Sequence, residues 1–269
     1  MLSFGPRGSV TGMIETVSSI AREAGKLLRG GFGQSQKVNQ AELHDIKLQM
    51  DVDCQRLIEG RLRAAYPSHS IIGEEESHGD PNAKFRWVVD PLDGTVNYSY
   101  GIPHFCVSIA LQRRNPSSPL ARELGGYESV VGVIYDPMRD ELFAAERGKG
   151  AFMNGRPIRV SARARMEEAI VTVGFSKSEE TIRRGMEHLQ KMIRKVRKTR
   201  MMGAAALDIA YVAAGRIEAY MEFSVRLWDI AAGIVIAEEA GGMIRLEPLG
   251  DAPHAFKAMV SNGKIDFGF

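Results

Sequence analysis

Between Trp87 and Asn97 the chain reads Trp-Val-Val-Asp-Pro-Leu-Asp-Gly-Thr-Val-Asn. The run from Phe85 to Val89 reads as a buried strand: it is short, largely apolar and bounded by turn residues. It ends on Asp90, and Pro91 keeps that residue extended while removing an N–H from further ladder pairing. Three residues on, Asp93 precedes Gly94 and Thr95, where the chain must turn. Any fold for this chain must therefore carry two carboxylates at one strand end, beside a glycine that lets backbone N–H groups approach a ligand. Hard cations together with a phosphate suit such a place.

The rhythm on either side of this stretch sets the fold class. Met13, Ile14, Val17, Ile20, Ala24, Leu27 and Leu28 recur at helical steps and stop near Gly30-Gly31. After a polar stretch, a second helix runs from about Asp51 to Ala65, with Cys54, Ile58, Leu62 and Ala65 as its buried stripe. Asp51 lies on that same face, either as a favourable first-turn charge or as a carboxylate pointed inward for a purpose. From Phe85 to Val160 the pattern is mostly strand, with a hairpin at Asp136-Pro137-Met138-Arg139 and a tight turn at Asn154-Gly155. Consecutive strands of this kind predict an antiparallel sheet packed on the preceding helices. The segment Arg113 to Tyr127 reads as a surface excursion.

After Ser161 strands and helices alternate. Ala169 to Val173 is a predicted strand, and Glu179 to Arg197 a charged amphipathic helix. Gly203 to Ala214 is a helix apolar almost all round, hence buried. A strand through Ile217, Ala219, Met221 and Phe223 puts Glu218, Tyr220 and Glu222 on its other face, and Asp229 to Ala240 forms the last helix. The class is α+β, in one domain over 1–269 with halves of about 1–163 and 164–269.

Bulk properties exclude several roles. With 269 residues, 44% hydrophobic and 25% charged, the chain can bury a substantial core. A formal charge of +2 predicts no nucleic-acid partner, and the basic stretch Lys191 to Arg200 reads as a solvated helix face. Cys54 and Cys106 sit apart in apolar contexts, which fits core packing in a reducing compartment. No apolar run approaches the roughly 20 residues of a membrane helix. The start Met-Leu-Ser-Phe-Gly-Pro-Arg shows no secretory pattern, so a cytoplasmic location is expected.

Carboxylates concentrate at four places: Asp51, the run Glu74-Glu75-Glu76, the pair Asp90 and Asp93, and Asp229 after Trp228. Each has an ordinary reading. Asp229 alone is a helix cap, the glutamate run a solvated loop, and Asp93-Gly94 a turn. Brought together, they would raise each other's pKa unless cations neutralised them. All-oxygen donors with no paired cysteine or histidine point to Mg²⁺ or a similar ion. Such ions can activate a water, orient a phosphate and stabilise a leaving oxygen.

Three blocks, Gly73-Glu74-Glu75, Asp90-Pro91-Leu92-Asp93-Gly94-Thr95 and Trp228-Asp229-Ile230-Ala231-Ala232-Gly233, resemble those of the inositol monophosphatase family in order and rough spacing. The resemblance runs from about Met13 to the C-terminus. It implies a layered α/β/α/β/α fold, a homodimer, and lithium-sensitive hydrolysis of a small phosphate monoester with two or three Mg²⁺ ions. Transferred to this chain, it makes Glu74 a metal ligand that also positions the attacking water. Asp90 bridges two metals, the Leu92 carbonyl joins one of them, and Asp93 and Asp229 hold the second. Thr95, polarised by Asp51, orients the water, and N–H groups at Gly94 and Thr95 take phosphate oxygens. Glu222 binds substrate hydroxyls, while Gly203, Ala204 and Ala205 line the sugar side. Fructose 1,6-bisphosphate, a phosphoadenosine nucleotide or histidinol phosphate are alternative esters on the same machinery. A regulatory role binding nucleic acid or protein through Lys191 to Arg200 is the alternative of another class.

The chain departs from the family pattern ahead of the Asp51 helix. The family carries Asp-x-Val-Thr, and this chain carries Asp45-Ile46-Lys47-Leu48. Arg226 also stands close to the substrate side, where a guanidinium could favour a second phosphate or serve only as an exposed charge. His69 and His104 lack an acidic partner in any motif and read as structural. Tyr98 and Tyr100 read equally as pocket wall or packing, and Gly148-Lys149-Gly150 reads as a turn.

Overall fold

The structure is a computed structural model and describes residues 11–35, 37–42, 45–175, 178–250 and 254–269. The N-terminal stretch read for a leader lies outside the described residues.

The first half opens with helix α1 (Thr11–Gly31). A short antiparallel ribbon of β1 (Val38–Glu42) and β2 (Asp45–Leu48) follows, in the polar stretch after α1. Next come α2 (Gln49–Ala65), β3 (Ser70–Gly73), β4 (Ser77–His78), β5 (Phe85–Asp93) and a single turn of helix, α3 (Thr95–Ser99). Then follow β6 (Cys106–Arg114), α4 (Pro119–Glu123), β7 (Tyr127–Asp136), β8 (Glu141–Glu146), β9 (Ala151–Met153) and β10 (Arg156–Pro157). Eight strands pair in the order β10-β9-β8-β7-β6-β5-β3-β4. The sheet is antiparallel as expected, except that β3 and β5 run parallel, with Gly73 beside Val89. That exception matters, because parallel strands end at the same edge, and there Glu74 follows β3 beside Asp90 of β5.

The second half contains β11 (Ile170–Gly174), α5 (Glu179–Met192), β12 (Lys198–Arg200), α6 (Ala205–Ala213), β13 (Ala219–Arg226), α7 (Leu227–Glu239), β14 (Met243–Pro248) and β15 (Ala255–Ser261). Its five-stranded sheet has the order β12-β11-β13-β15-β14, parallel around β11 and antiparallel around β15. Helix α5 stops at Met192 rather than Arg197. The basic stretch is therefore not a helix face: it crosses a turn into the edge strand β12.

The layers follow from alternation along the strands. Trp87 and Val89 turn to one face of the large sheet, where Val17, Ala21, Leu28, Ile58 and Leu62 of α1 and α2 cover them. Val88 points to the other face and meets α6 and α7, among them Ile209, Val212, Ile234 and Val235. The same two helices cover Tyr220 and Val260 of the small sheet. Ala219 and Met221 turn outward, to a cluster that includes Met192 of α5. The result is the expected α/β/α/β/α sandwich, with α6 and α7 as the shared middle layer. Each fully buried Val, Leu or Ile in it contributes about 1.5–3 kcal/mol.

Candidate active site

Asp90 and Asp93 are three residues apart, so in a regular strand they would point to opposite faces. They do not, because β5 bulges between them: Asp90 pairs with Ser108 and Asp93 with Cys106, so one extra residue is accommodated on β5. Pro91 sits inside the bulge. Asp90 Oδ1 accepts the Leu92 N–H at 2.9 Å. Gly94 then takes φ +94°, and a Cβ there would lie 3.0 Å from the His104 carbonyl, so glycine is required on both counts.

Beyond this strand end opens a cleft of about 400 Å³ lined by Glu74, Asp90, Leu92, Asp93, Gly94, Thr95, Gly203, Glu222, Arg226 and Asp229. Phe175, Ser178, Ser224, Val225, Trp228 and Val96 complete its wall; the sequence named Trp228 only as part of a block and none of the six as lining. Asp51 stands behind Thr95. The Thr95 hydroxyl has two acceptors in reach, Leu92 O at 2.9 Å and Asp51 Oδ1 at 3.3 Å. Asp93 faces the N-terminus of α6, accepting the Ala205 N–H at 3.1 Å and the Ala206 N–H at 2.7 Å.

Of the three residues expected to line the sugar side, only Gly203 borders the cleft; Ala204 is buried, and Ala205 directs its N–H to Asp93. Glu222 enters from β13, where Tyr220 donates its hydroxyl to Oε2 at 2.7 Å. On the neighbouring strand Gly174 pairs with Glu222, and any Cβ there would collide with the Glu222 carboxylate. A second bulge follows Glu222, between it and Val225.

The electrostatics are those of a crowded acidic site. Burial, then the charge of Asp229, pushes Glu74 well above the usual carboxylate range. Burial and Glu74 do the same to Asp90, and burial and Asp93 to Asp229. Burial lifts Asp93 to about 6, with the Ala206 N–H opposing it. Burial also lifts Asp51 and Glu222, each to about 7.

Other residues fall outside the cleft. Tyr98 is not a pocket wall: it is buried and donates its hydroxyl to Leu28 O at 2.8 Å. Tyr100 is exposed and away from the lining. Both cysteines are free and buried, with Cys106 Sγ 3.5 Å from Asp93 Oδ2. His104 does have an acidic neighbour that no motif announced. Its Nε2 lies 3.6 Å from Asp208 Oδ1, and both are buried. A lone Asp in the otherwise apolar α6 was the available signal.

A model of the inositol monophosphatase family matches residues 10–247. The Nus factor SuhB of Pseudomonas aeruginosa is 39% identical over 241 residues, covering 86% of this chain and 84% of its own. The inositol-1-monophosphatase of Rhizobium meliloti is also 39% identical, over 229 residues, covering 82% of this chain and 80% of its own. The crystal structure of the extragenic suppressor protein suhB from Bartonella henselae superposes with a TM-score of 0.83 at 35% identity, covering 94% of this chain and 95% of that one. By extent of match and by fold, the chain belongs to the inositol monophosphatase family.

Proposed function

We propose that this chain hydrolyses phosphate monoesters with Mg²⁺, by direct attack of water on phosphorus, and that an inositol monophosphate is its preferred ester. The observation that carries the reading is the meeting of Glu74, Asp90, Asp93 and Asp229 with Thr95 on one cleft. The donor set fits a hard divalent ion, since every donor is an oxygen and the carboxylates resist ionisation until positive charge arrives. No three His, Cys, Asp or Glu side chains among the described residues close into a cage, so the Leu92 carbonyl, water and the ester itself would complete the coordination. When bound, Mg²⁺ would supply the charge that polarises the phosphate and makes a water nucleophilic near neutral pH.

The chain's own residues divide the remaining work. Glu74, Asp90, the Leu92 carbonyl, Asp93 and Asp229 hold the ions. Thr95 orients the attacking water, and Asp51 fixes the Thr95 hydroxyl. Backbone N–H groups at Gly94 and Thr95 face the phosphate. Glu222, steadied by Tyr220, receives substrate hydroxyls from the far wall, and a relative named inositol-1-monophosphatase supports ranking a cyclic polyol first. A homodimer, lithium sensitivity and a cytoplasmic location complete the proposal; their support is family membership, and no helix among the described residues is long and apolar enough to cross a membrane. A phosphate-release panel over inositol phosphates, fructose 1,6-bisphosphate, phosphoadenosine nucleotides and histidinol phosphate, with Mg²⁺ and with added Li⁺, tests it. Inositol monophosphate is expected to rank first, and a higher kcat/KM for another ester would reassign the substrate.

A second reading has its own observation. Lys191, Arg194, Lys195, Arg197, Lys198 and Arg200 are exposed with no acidic residue interspersed, and one relative is named a Nus factor. Salt-sensitive RNA binding that survives Asp90→Asn would support a second, non-catalytic role.

A further inference from the structure

The motif at the strand end closes on Asn97, a residue of α3 that stands behind the cleft lining rather than in it. Its side chain is partly covered, and three backbone carbonyls surround its amide nitrogen. Nδ2 donates to His104 O at 2.8 Å and to Met202 O at 2.8 Å, and Gly203 O lies 3.4 Å away. An amide nitrogen carries two hydrogens, so the two nearer carbonyls take both. Only a neutral donor suits this place, since an aspartate of the same shape would set oxygen against oxygen.

The contact joins two walls of the cleft that come from different halves of the chain. On one side is the turn at Gly94 and Thr95, just ahead of Asn97; on the other is the segment 201–204, which leads into α6 and belongs to no helix or strand. Gly203 in that segment is the part of the expected sugar side that borders the cleft. It takes φ +78°, and a Cβ there would lie 3.2 Å from Asn97 Nδ2, so the amide and the turn are in direct contact. Helix α6 itself has other anchors: Ala206, Leu207, Ile209 and Ala210 are buried in the middle layer, and Asp93 holds the Ala205 and Ala206 N–H groups. Asn97 therefore acts on the short segment ahead of the helix.

We propose that Asn97 is a positioning residue for substrate choice: its amide holds the Met202–Gly203 turn at a set distance from the phosphate turn and so fixes how closely the alcohol part of the ester is gripped. The inference rests on the phosphatase reading and deepens it, because it assigns discrimination between alcohols to a residue outside the cleft lining.

The test compares the wild type with Asn97→Ala on two esters in Mg²⁺: an inositol monophosphate, and phenyl phosphate, whose alcohol carries no further hydroxyl. Asn97→Ala is expected to raise KM for the inositol ester by about 3–10-fold, the worth of one misplaced polar contact, with kcat nearly kept. KM for phenyl phosphate is expected to stay within about twofold of the wild type. Hydrogen exchange supplies a readout that needs no turnover: peptides covering 201–206 should exchange faster in the variant, and those covering 207–213 should not change. Near-UV circular dichroism checks that the variant is folded, and Asn97→Leu, which keeps the volume without a donor, replaces it should Asn97→Ala fail to fold. Unchanged exchange over 201–206, or a KM that rises equally for both esters, overturns the proposal and leaves the phosphatase reading standing. Turnover of neither ester by the wild type overturns both.

Discussion

Asp51 and Asp229 occupy the same position on different helices, the third residue of α2 and of α7, and each gives one oxygen to the backbone N–H three residues back. Leu48 N–H donates to Asp51 Oδ2 at 2.6 Å, and Arg226 N–H donates to Asp229 Oδ2 at 2.8 Å. The ordinary role of a first-turn acid and the role of a site carboxylate are thus filled by the same side chain. The helix start fixes the rotamer, and the second oxygen is left for the Thr95 hydroxyl at Asp51 and for the cleft at Asp229.

That arrangement separates two substitutions of Asp229. Asparagine keeps an oxygen for the Arg226 N–H and loses only the charge. Asp229→Asn is expected to abolish phosphate release while the metal-free Tm stays level or rises. Asp229→Ala also loses the helix-start hydrogen bond and is expected to cost about 0.5–2 kcal/mol. Thermal melts in EDTA beside phosphate-release assays check both, and wild-type turnover in Asp229→Asn would remove it from the ligand set.

Asp90 and Asp93 are expected to part in the same way. Asp90 uses one oxygen on a single N–H, that of Leu92, so Asp90→Asn relieves repulsion without breaking the bond and should raise the metal-free Tm. Asp93 uses both oxygens on two N–H groups of α6. Asp93→Asn turns an NH₂ toward a donor and is expected to lower stability by about 1–3 kcal/mol. Equal Tm shifts of the same sign would contradict this.

Much of the site was legible because its residues sit in contiguous blocks with backbone consequences. Asp90, Pro91 and Gly94 announce a strand end, a broken ladder and a turn, and the structure supplies the bulge that aligns the two carboxylates. Local sequence carries no signal where the partner is distant or the chemistry is tertiary. Asp208 faces His104 across more than a hundred residues of chain, and no local pattern couples them. The Lys191–Arg200 segment kept a helical charge pattern, yet Lys198–Arg200 pairs with β11 at a sheet edge, so sheet pairing overrode local propensity. The parallel pairing of β3 with β5 was equally hidden, since a two-residue return strand, β4, intervenes between them.

The pH dependence of metal-free stability follows from the raised carboxylates. A folded-state pKa above the unfolded value means that the native protein binds more protons, so stability is full below the ordinary carboxylate range near pH 4 and falls as pH rises through the folded values. Those values are about 6 for Asp93 and about 7 for Asp51 and Glu222, with Glu74, Asp90 and Asp229 shifted in the same direction. Divalent ions displace these protons, so the Tm gained on adding Mg²⁺ should be larger near pH 8 than near pH 5.5. Differential scanning calorimetry at the two pH values decides it, and a larger gain at the lower pH would overturn the assignment.

Thr95 gives a kinetic test. Its hydroxyl lies within reach of Leu92 O and Asp51, and in the proposed reaction it would act on the water rather than on ground-state binding. Thr95→Ala is expected to lower kcat by about 10²–10⁴-fold with a much smaller change in KM. A change confined to KM would move Thr95 from water positioning to substrate binding.

The central claim is tested most directly by phosphate release from an inositol monophosphate, measured for the wild type in Mg²⁺ and in EDTA and for Asp90→Asn in Mg²⁺. Turnover by the wild type in Mg²⁺ alone, and by neither of the others, is the predicted result. Turnover that persists in EDTA, or in Asp90→Asn, would contradict a metal-dependent reaction at this strand end.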